Sequence, residues 1–333
     1  MPPIPLPTRE HSGSGVYLLP SVSDNENEVT RAFREYFEGE LCALDLKNER
    51  PQRILELGCG SGAWAIQAAI EFPEAQVVAV DISPLPAHQL QDVDISSVLP
   101  DNMTFQLVDL RANLPFERES FDIVHSRMVM VHVSARYTNF WAAGKPNAIY
   151  KVPNAKDLIH KAALLVKPGG LLLLDDMDHK STVDTGGPAV RRCMDKIQKL
   201  WEMSGLDAEI GRKFQSILAE TGWFSDIQVD KIAVPLGGCA HDERLNKLGL
   251  RSKEFSKRFV LAAGARLAGE GLTEEMVQDF VEELDQGSSA VWHFYFCAAR
   301  RGILAKLDAQ DLSPKPEGLD EMEARWSIQN SAL

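Results

Sequence analysis

The stretch ILELGCGSGAWAIQAAIEFPEAQVVAVDISP, Ile54 to Pro84, restricts the fold more than any other part of the chain. An apolar run, three glycines at alternate positions, a helix-like stretch and a second apolar run ending in Asp81 follow one another directly. Strand, glycine loop, helix and strand in that order form a right-handed crossover unit, and such units build a parallel sheet covered on both faces. Ligands of such sheets sit beyond the carboxyl ends of the strands, near the point where the strand order reverses. Gly58, Gly60 and Gly62 permit positive φ and close backbone approach, because a Cβ there would occupy ligand space. Asp81, at the end of the next strand, has two oxygens to offer vicinal ribose hydroxyls.

The same alternation continues. Arg53 to Leu57 reads as a strand, Ala63 to Phe72 as a helix stopped before Pro73, and Gln76 to Val80, Thr104 to Val108 and Phe121 to His125 as strands. A helix is expected from about Ala155 to Leu165, then a KPGG turn in which Pro168 presets the first central position and Gly169 accepts a positive φ at the second, then the apolar LLLLDD. Asp226 to Pro235 and Ala290 to Ala299 read as two further strands. The residues between them are largely helical, including TEEMVQDFVEELDQG with Thr273 as N-cap, acids in the first turn and Gly287 past the end. Near the front, apolar residues from Val29 to Leu41 recur at three and four, so a helix is expected between Ser23 and Leu46. The expected fold is α/β and doubly wound, with a leader at residues 1–16, an N-terminal helical cap at 17–50, a main domain at 51–301 and a tail at 302–333. An insertion at about 236–289 joins the N-terminal helix as a helical lid.

A formal net charge of -13 excludes a protein whose main partner is a nucleic-acid backbone, and it disfavours an anionic membrane surface. No apolar run is long enough to span a bilayer, and the proline-rich start lacks the apolar core of a signal peptide. The five cysteines lie far apart without a C-x-x-C pair, so no zinc site or disulfide framework is indicated, and reduced thiols in a cytoplasmic protein are expected. A homodimer is left open by the helical lid, although no heptad seam is visible.

Gly58 to Ala63 also satisfies a loose dinucleotide fingerprint, so the loop alone does not choose a ligand. Three acids do. Glu56 precedes the loop by one residue, where a ligand ammonium is welcome and a pyrophosphate is not. Asp109 follows the third strand as an acceptor for an adenine amino group, and the Leu110 amide is placed to read a ring nitrogen. A cavity lined by Glu56, Asp81 and Asp109, with no Lys or Arg in the loop, suits a ligand carrying sulfonium and ammonium, namely S-adenosyl-L-methionine.

At these residues the chain resembles the class I S-adenosylmethionine-dependent methyltransferases, and within them the fungal secondary-metabolism enzymes that include the LaeA-like regulators. ILELGCGSGAWAIQ, FPEAQVVAVDISP, FDIVHSRMV and VKPGGLLLLDD carry the resemblance, with YLLPSVSDNENEVTR and PLGGCAHDERLNKLG at its flanks. It implies a Rossmann-like seven-stranded sheet whose last strand is antiparallel. It also implies cofactor contacts at Tyr17, Gly58, Cys59, Gly60, Asp81, Ile82, Asp109, Leu110, His125, Ser126 and Arg127. The chain departs from the family pattern at YTNFWAAGKPNAIYKVPNAKD, an enlargement that makes a candidate substrate loop.

Methyl transfer is an in-line displacement, so alignment and exclusion of water dominate, with a base where the acceptor carries a proton. His132, Asp176, Asp178 and His179 follow the fourth and fifth strands at the ligand edge and are the candidates, of which His132, Asp176 and His179 are carried forward. The expected activity is methyl transfer to O, N or C of a small natural product. A regulator that binds the same cofactor and protein partners, and a cyclase that uses the cofactor without losing its methyl, are the alternatives.

Overall fold

A computed structural model describes residues 31–85, 99–130, 154–239 and 241–303 of the 333-residue chain. Tyr17, His132 and most of the 137–157 enlargement lie outside the described residues. Seven strands form one sheet: β1 (Arg53–Leu57), β2 (Gln76–Asp81), β3 (Met103–Leu107), β4 (Phe121–Arg127), β5 (Val166–Asp178), β6 (Phe224–Pro235) and β7 (Val291–Arg301). Their spatial order is β3-β2-β1-β4-β5-β7-β6. β1 pairs parallel with β2 and β4, while β7 runs antiparallel to both β5 and β6. The order reverses between β1 and β4, which puts the glycine loop at the switch point.

Side-chain alternation in β1 decides what faces what. Ile54 packs with Trp64, Ala65, Ala68 and Ala69 of helix α1 (Ala63–Glu71), whose small residues let it lie close to the sheet. Leu55 and Leu57 face the opposite layer, where helix α2 (Ala155–Leu165) contributes Leu158, Ile159 and Ala162. The capping box expected of a well-started helix is present in α2, with Asn154 and Asp157 bonded reciprocally. Glu56 therefore falls on the α1 side, one residue before the loop.

The KPGG segment lies inside β5. Gly169 has φ +83°, and the pairing register jumps from Phe121–Val166 to Ile123–Leu171, so the turn bulges out without ending the strand. Beyond β5 come α3 (Lys180–Thr185), α4 (Pro188–Met203) and α5 (Ile210–Thr221). Helices α6 (Glu243–Leu267) and α7 (Glu274–Gln286) connect β6 to β7. Glu283 of α7 accepts from the backbone N–H groups of Gly187, Ala189 and Val190, so one carboxylate caps the start of α4 across the lid.

The N-terminal helix is shorter at its end than the sequence pattern suggests. Residues 31–36 are helical, and Glu38 and Gly39, with φ +58° and +95°, terminate the turn. Leu41, expected on the helical stripe, lies past this end yet is buried at 5% exposure. Phe33 and Phe37 pack edge-to-face on Phe296, and Phe33 also packs on Phe294. No helix among the described residues is long and apolar enough to cross a membrane.

Candidate cofactor site

The loop is fastened to the end of β2. The N–H groups of Gly58 and Cys59 both donate to Val80 O, at 2.8 and 2.9 Å, and Gly62 N–H donates to Cys59 O at 2.8 Å. Gly58 has φ +69°, a conformation open to glycine at no steric cost, and a Cβ built on it would overlap Val129 Cγ2 and lie 3.0 Å from Cγ1. Val129 comes from the turn after β4, so two strand ends meet across a missing side chain.

Asp81 holds the loop as well as facing the rim. Its Oδ2 accepts from Gly60 N–H at 2.9 Å and its Oδ1 from Ser83 N–H at 2.9 Å, which leaves further lone pairs on each oxygen. Cys59 and Leu110 are buried at 7% and 8% exposure. Ile82 and Leu107, at the carboxyl ends of β2 and β3, are exposed apolar side chains. Helix α1 starts at Gly62 without a side-chain cap, so its first-turn N–H groups and positive dipole end face the loop.

Behind the loop lies a buried row of charges that the strand register assembles. Glu56 stands opposite His125 on β1 and β4, and Arg127 opposite Asp175 on β4 and β5. His125 is fully buried, its Nδ1 3.6 Å from Glu56 Oε1 and its Nε2 3.4 Å from Asp175 Oδ2, and its ring stacks on Trp64 at 3.7 Å. Arg127 Nε donates to Asp175 Oδ2 at 2.8 Å. Burial pushes the Asp175 carboxyl up, but Arg127 and His125 outweigh it and hold the group below the usual carboxylate range. The Leu41 carbonyl accepts from both Trp64 Nε1, at 3.0 Å, and Arg127 Nη2, at 3.1 Å. Glu56 is 4% exposed, and its Oε2 has no hydrogen-bond partner among the described residues.

The other expected site residues are placed differently. Asp109 is gripped by Arg111, whose Nε donates to Oδ1 at 2.9 Å and whose Nη2 donates to Oδ2 at 2.7 Å, with the Arg111 N–H also on Oδ1. Burial opposes ionisation there, yet these bonds hold the carboxyl below its ordinary value. Ser126 is 1% exposed and its hydroxyl has no partner among the described residues. Asp178 is fully buried and bound by Arg212, Nε donating at 2.9 Å. His179 is 5% exposed, its ring edge-to-face with Trp201 at 4.7 Å. Asp176 is fully buried and accepts from Met130 N–H at 2.9 Å and Met177 N–H at 2.8 Å. Reasoning from sequence missed Trp64, Arg111, Asp175 and Val129. The signal for Asp175 was present, since two successive acids in a strand must point to opposite faces.

A sheet of this order, with a glycine loop at its switch point and an acid closing the next strand, defines a doubly wound nucleoside-cofactor domain. Residues 48–222 match the methyltransferase-domain family, and the chain belongs to that family. The protein is a methyltransferase whose methyl donor is S-adenosyl-L-methionine. It is 30% identical over 275 residues to methyltransferase str2 of Strobilurus tenacellus, covering 80% of this chain and 88% of that one. With str3 of the same fungus it shares 32% identity over 233 residues, 69% of this chain and 72% of that one. The secondary metabolism regulator laeA of Aspergillus flavus is 31% identical over 119 residues, 34% of this chain and 29% of that one. Among solved structures, Haemonchus contortus phosphoethanolamine N-methyltransferase 2 in complex with S-adenosyl-L-methionine aligns with a TM-score of 0.46 at 20% identity. That alignment covers 83% of this chain and 52% of the other, so the chain spans about half of that enzyme's length, and the likeness carries no argument about function.

Proposed function

We propose that the protein transfers a methyl group to an O, N or C atom of a small natural product, with Glu56, the glycine loop and Asp81 seating the donor. The observation that carries this reading is Glu56 Oε2, a buried carboxylate oxygen without a partner among the described residues, one residue before the loop. Leaving such an atom unsatisfied costs about 1–3 kcal/mol or more, which a ligand ammonium offsets and a diphosphate aggravates. Asp81 keeps lone pairs for ribose hydroxyls, Ile82 and Leu107 offer apolar surface at the rim, and the α1 N-terminus favours a carboxylate.

Once bound, the donor supplies an electrophilic methyl for in-line displacement. The chain's own part is to fix that group and keep water away from it. Burial pushes the Cys42, Cys193 and Cys297 thiols up to about 12, which disfavours the reactive thiolate.

Calorimetric titration with S-adenosylhomocysteine tests the seat. Asp81→Ala removes acceptors for two hydroxyls and is expected to weaken binding at least about tenfold. Glu56→Gln is expected to weaken it by about the same factor while leaving the affinity for adenosine, which has no ammonium, unchanged. Equal loss for both ligands would refute the ammonium assignment. The regulatory reading draws on the laeA-type matches, which cover from 34% of this chain to, for LAE1 of Pyricularia oryzae at 23% identity, 70% of it, whereas str2 covers 80% at 30% identity. Mass analysis of product and cofactor distinguishes transfer from cyclisation without methyl loss.

A further inference from the structure

The turn after β4 is held at each of its three residues. Met128 has φ +56°, a left-handed conformation that a residue with a Cβ adopts at a cost, and its N–H donates to Asp175 O at 2.7 Å. Val129 then packs directly over Gly58, and Met130, 1% exposed, donates its N–H to Asp176 Oδ2 at 2.9 Å. Asp176 is itself immobilised. It lies opposite Tyr295 in β7, its Oδ1 takes the Met177 N–H, and Gly211 of α5 approaches so closely that a Cβ there would be 2.8 Å from Asp176 O.

We propose that Asp176 is a positioning residue rather than a base: by holding Met130 it keeps the 128–130 turn in its strained form, so that Val129 makes one wall of the cofactor seat over Gly58. The inference rests on the cofactor reading above. Both Asp176 oxygens are engaged by backbone donors in a fully buried place, an arrangement that anchors a turn. A side chain at Gly58 would displace Val129, and loss of the Asp176 anchor would displace it by relaxing Met128.

The test is calorimetric binding of S-adenosylhomocysteine, with thermal melting in parallel. Asp176→Ala is expected to weaken binding about tenfold, and adding Met128→Gly to recover at least about threefold of it, because glycine holds the left-handed turn without strain. Asp176→Asn, which keeps one acceptor oxygen, should lie between wild type and Asp176→Ala. Val129→Ala, at a half-buried position, should by itself weaken binding several-fold with little change in melting temperature. Undiminished binding by Asp176→Ala, no recovery by Met128→Gly, or an unaltered Val129→Ala would each overturn the proposal. Should Asp176→Ala fail to fold, Val129→Ala alone decides. Absence of binding by the wild type would instead overturn the cofactor reading, and this one with it.

Discussion

Arg127→Ala is expected to cost about 3–5 kcal/mol of folding stability, because it strands Asp175 as a buried anion whose full hydrogen-bonded partner is gone. The pH dependence gives the effect a signature. In the wild type, Arg127 and His125 depress the Asp175 pKa below its unfolded value, so the contribution is complete above that unfolded value and fades only as pH falls through the folded one. Without Arg127, burial acts with less opposition and moves the folded pKa upward. The variant then loses stability as pH rises, through a range where the wild type is level. The deficit measured by denaturant titration should therefore be larger at pH 7 than at pH 4. A deficit independent of pH would show that packing, not charge, is what Arg127 supplies.

Gly58→Ala is the second large effect. Alanine at φ +69° costs about 1–2 kcal/mol in backbone strain, and its methyl overlaps Val129, which must move at a further cost of about 1–3 kcal/mol. If Val129 moves, the protein stays folded and the seat is altered, so S-adenosylhomocysteine affinity should fall about thirtyfold or more while the melting temperature drops modestly. The double change Gly58→Ala with Val129→Ala should regain part of the stability, since the overlap is then relieved, but less of the affinity. Calorimetry and melting on the same samples separate the two, and full affinity in Gly58→Ala would exclude ligand approach at this glycine.

The inner strands β1, β2, β4 and the later part of β5 were legible because they are buried on both faces and so read as short apolar runs, whereas the edge strands β3 and β6 keep many exposed side chains. Ala155 to Leu165 and the β6 to β7 helical connection follow from the same periodicities, and Asp81 from its place at a strand end. The antiparallel last strand came only from the family resemblance, since nothing in AVWHFYFCAA states its direction. What periodicity left hidden are contacts between elements. Arg111 is two residues from Asp109, but whether it turns back onto the carboxylate depends on the local turn. Val129 meets Gly58 through a positive φ at Met128, and a methionine carries no sign of one. The N-terminal helix ran too far on paper because Leu41 continues the apolar spacing. The chain turns at Glu38 and Gly39, and Leu41 is buried by a different route.

The Leu41 carbonyl, bound by the indole of Trp64 and the guanidinium of Arg127, lies upstream of residue 48, where the family match begins. A fragment cut at the edges of that match would take this acceptor away from both donors. It would also leave β5 as a bare outer strand, because β6 and β7 follow residue 222. The segment by which the family is recognised is thus not a unit that stands by itself, and any trimming for expression has to begin before Leu41 and run through β7.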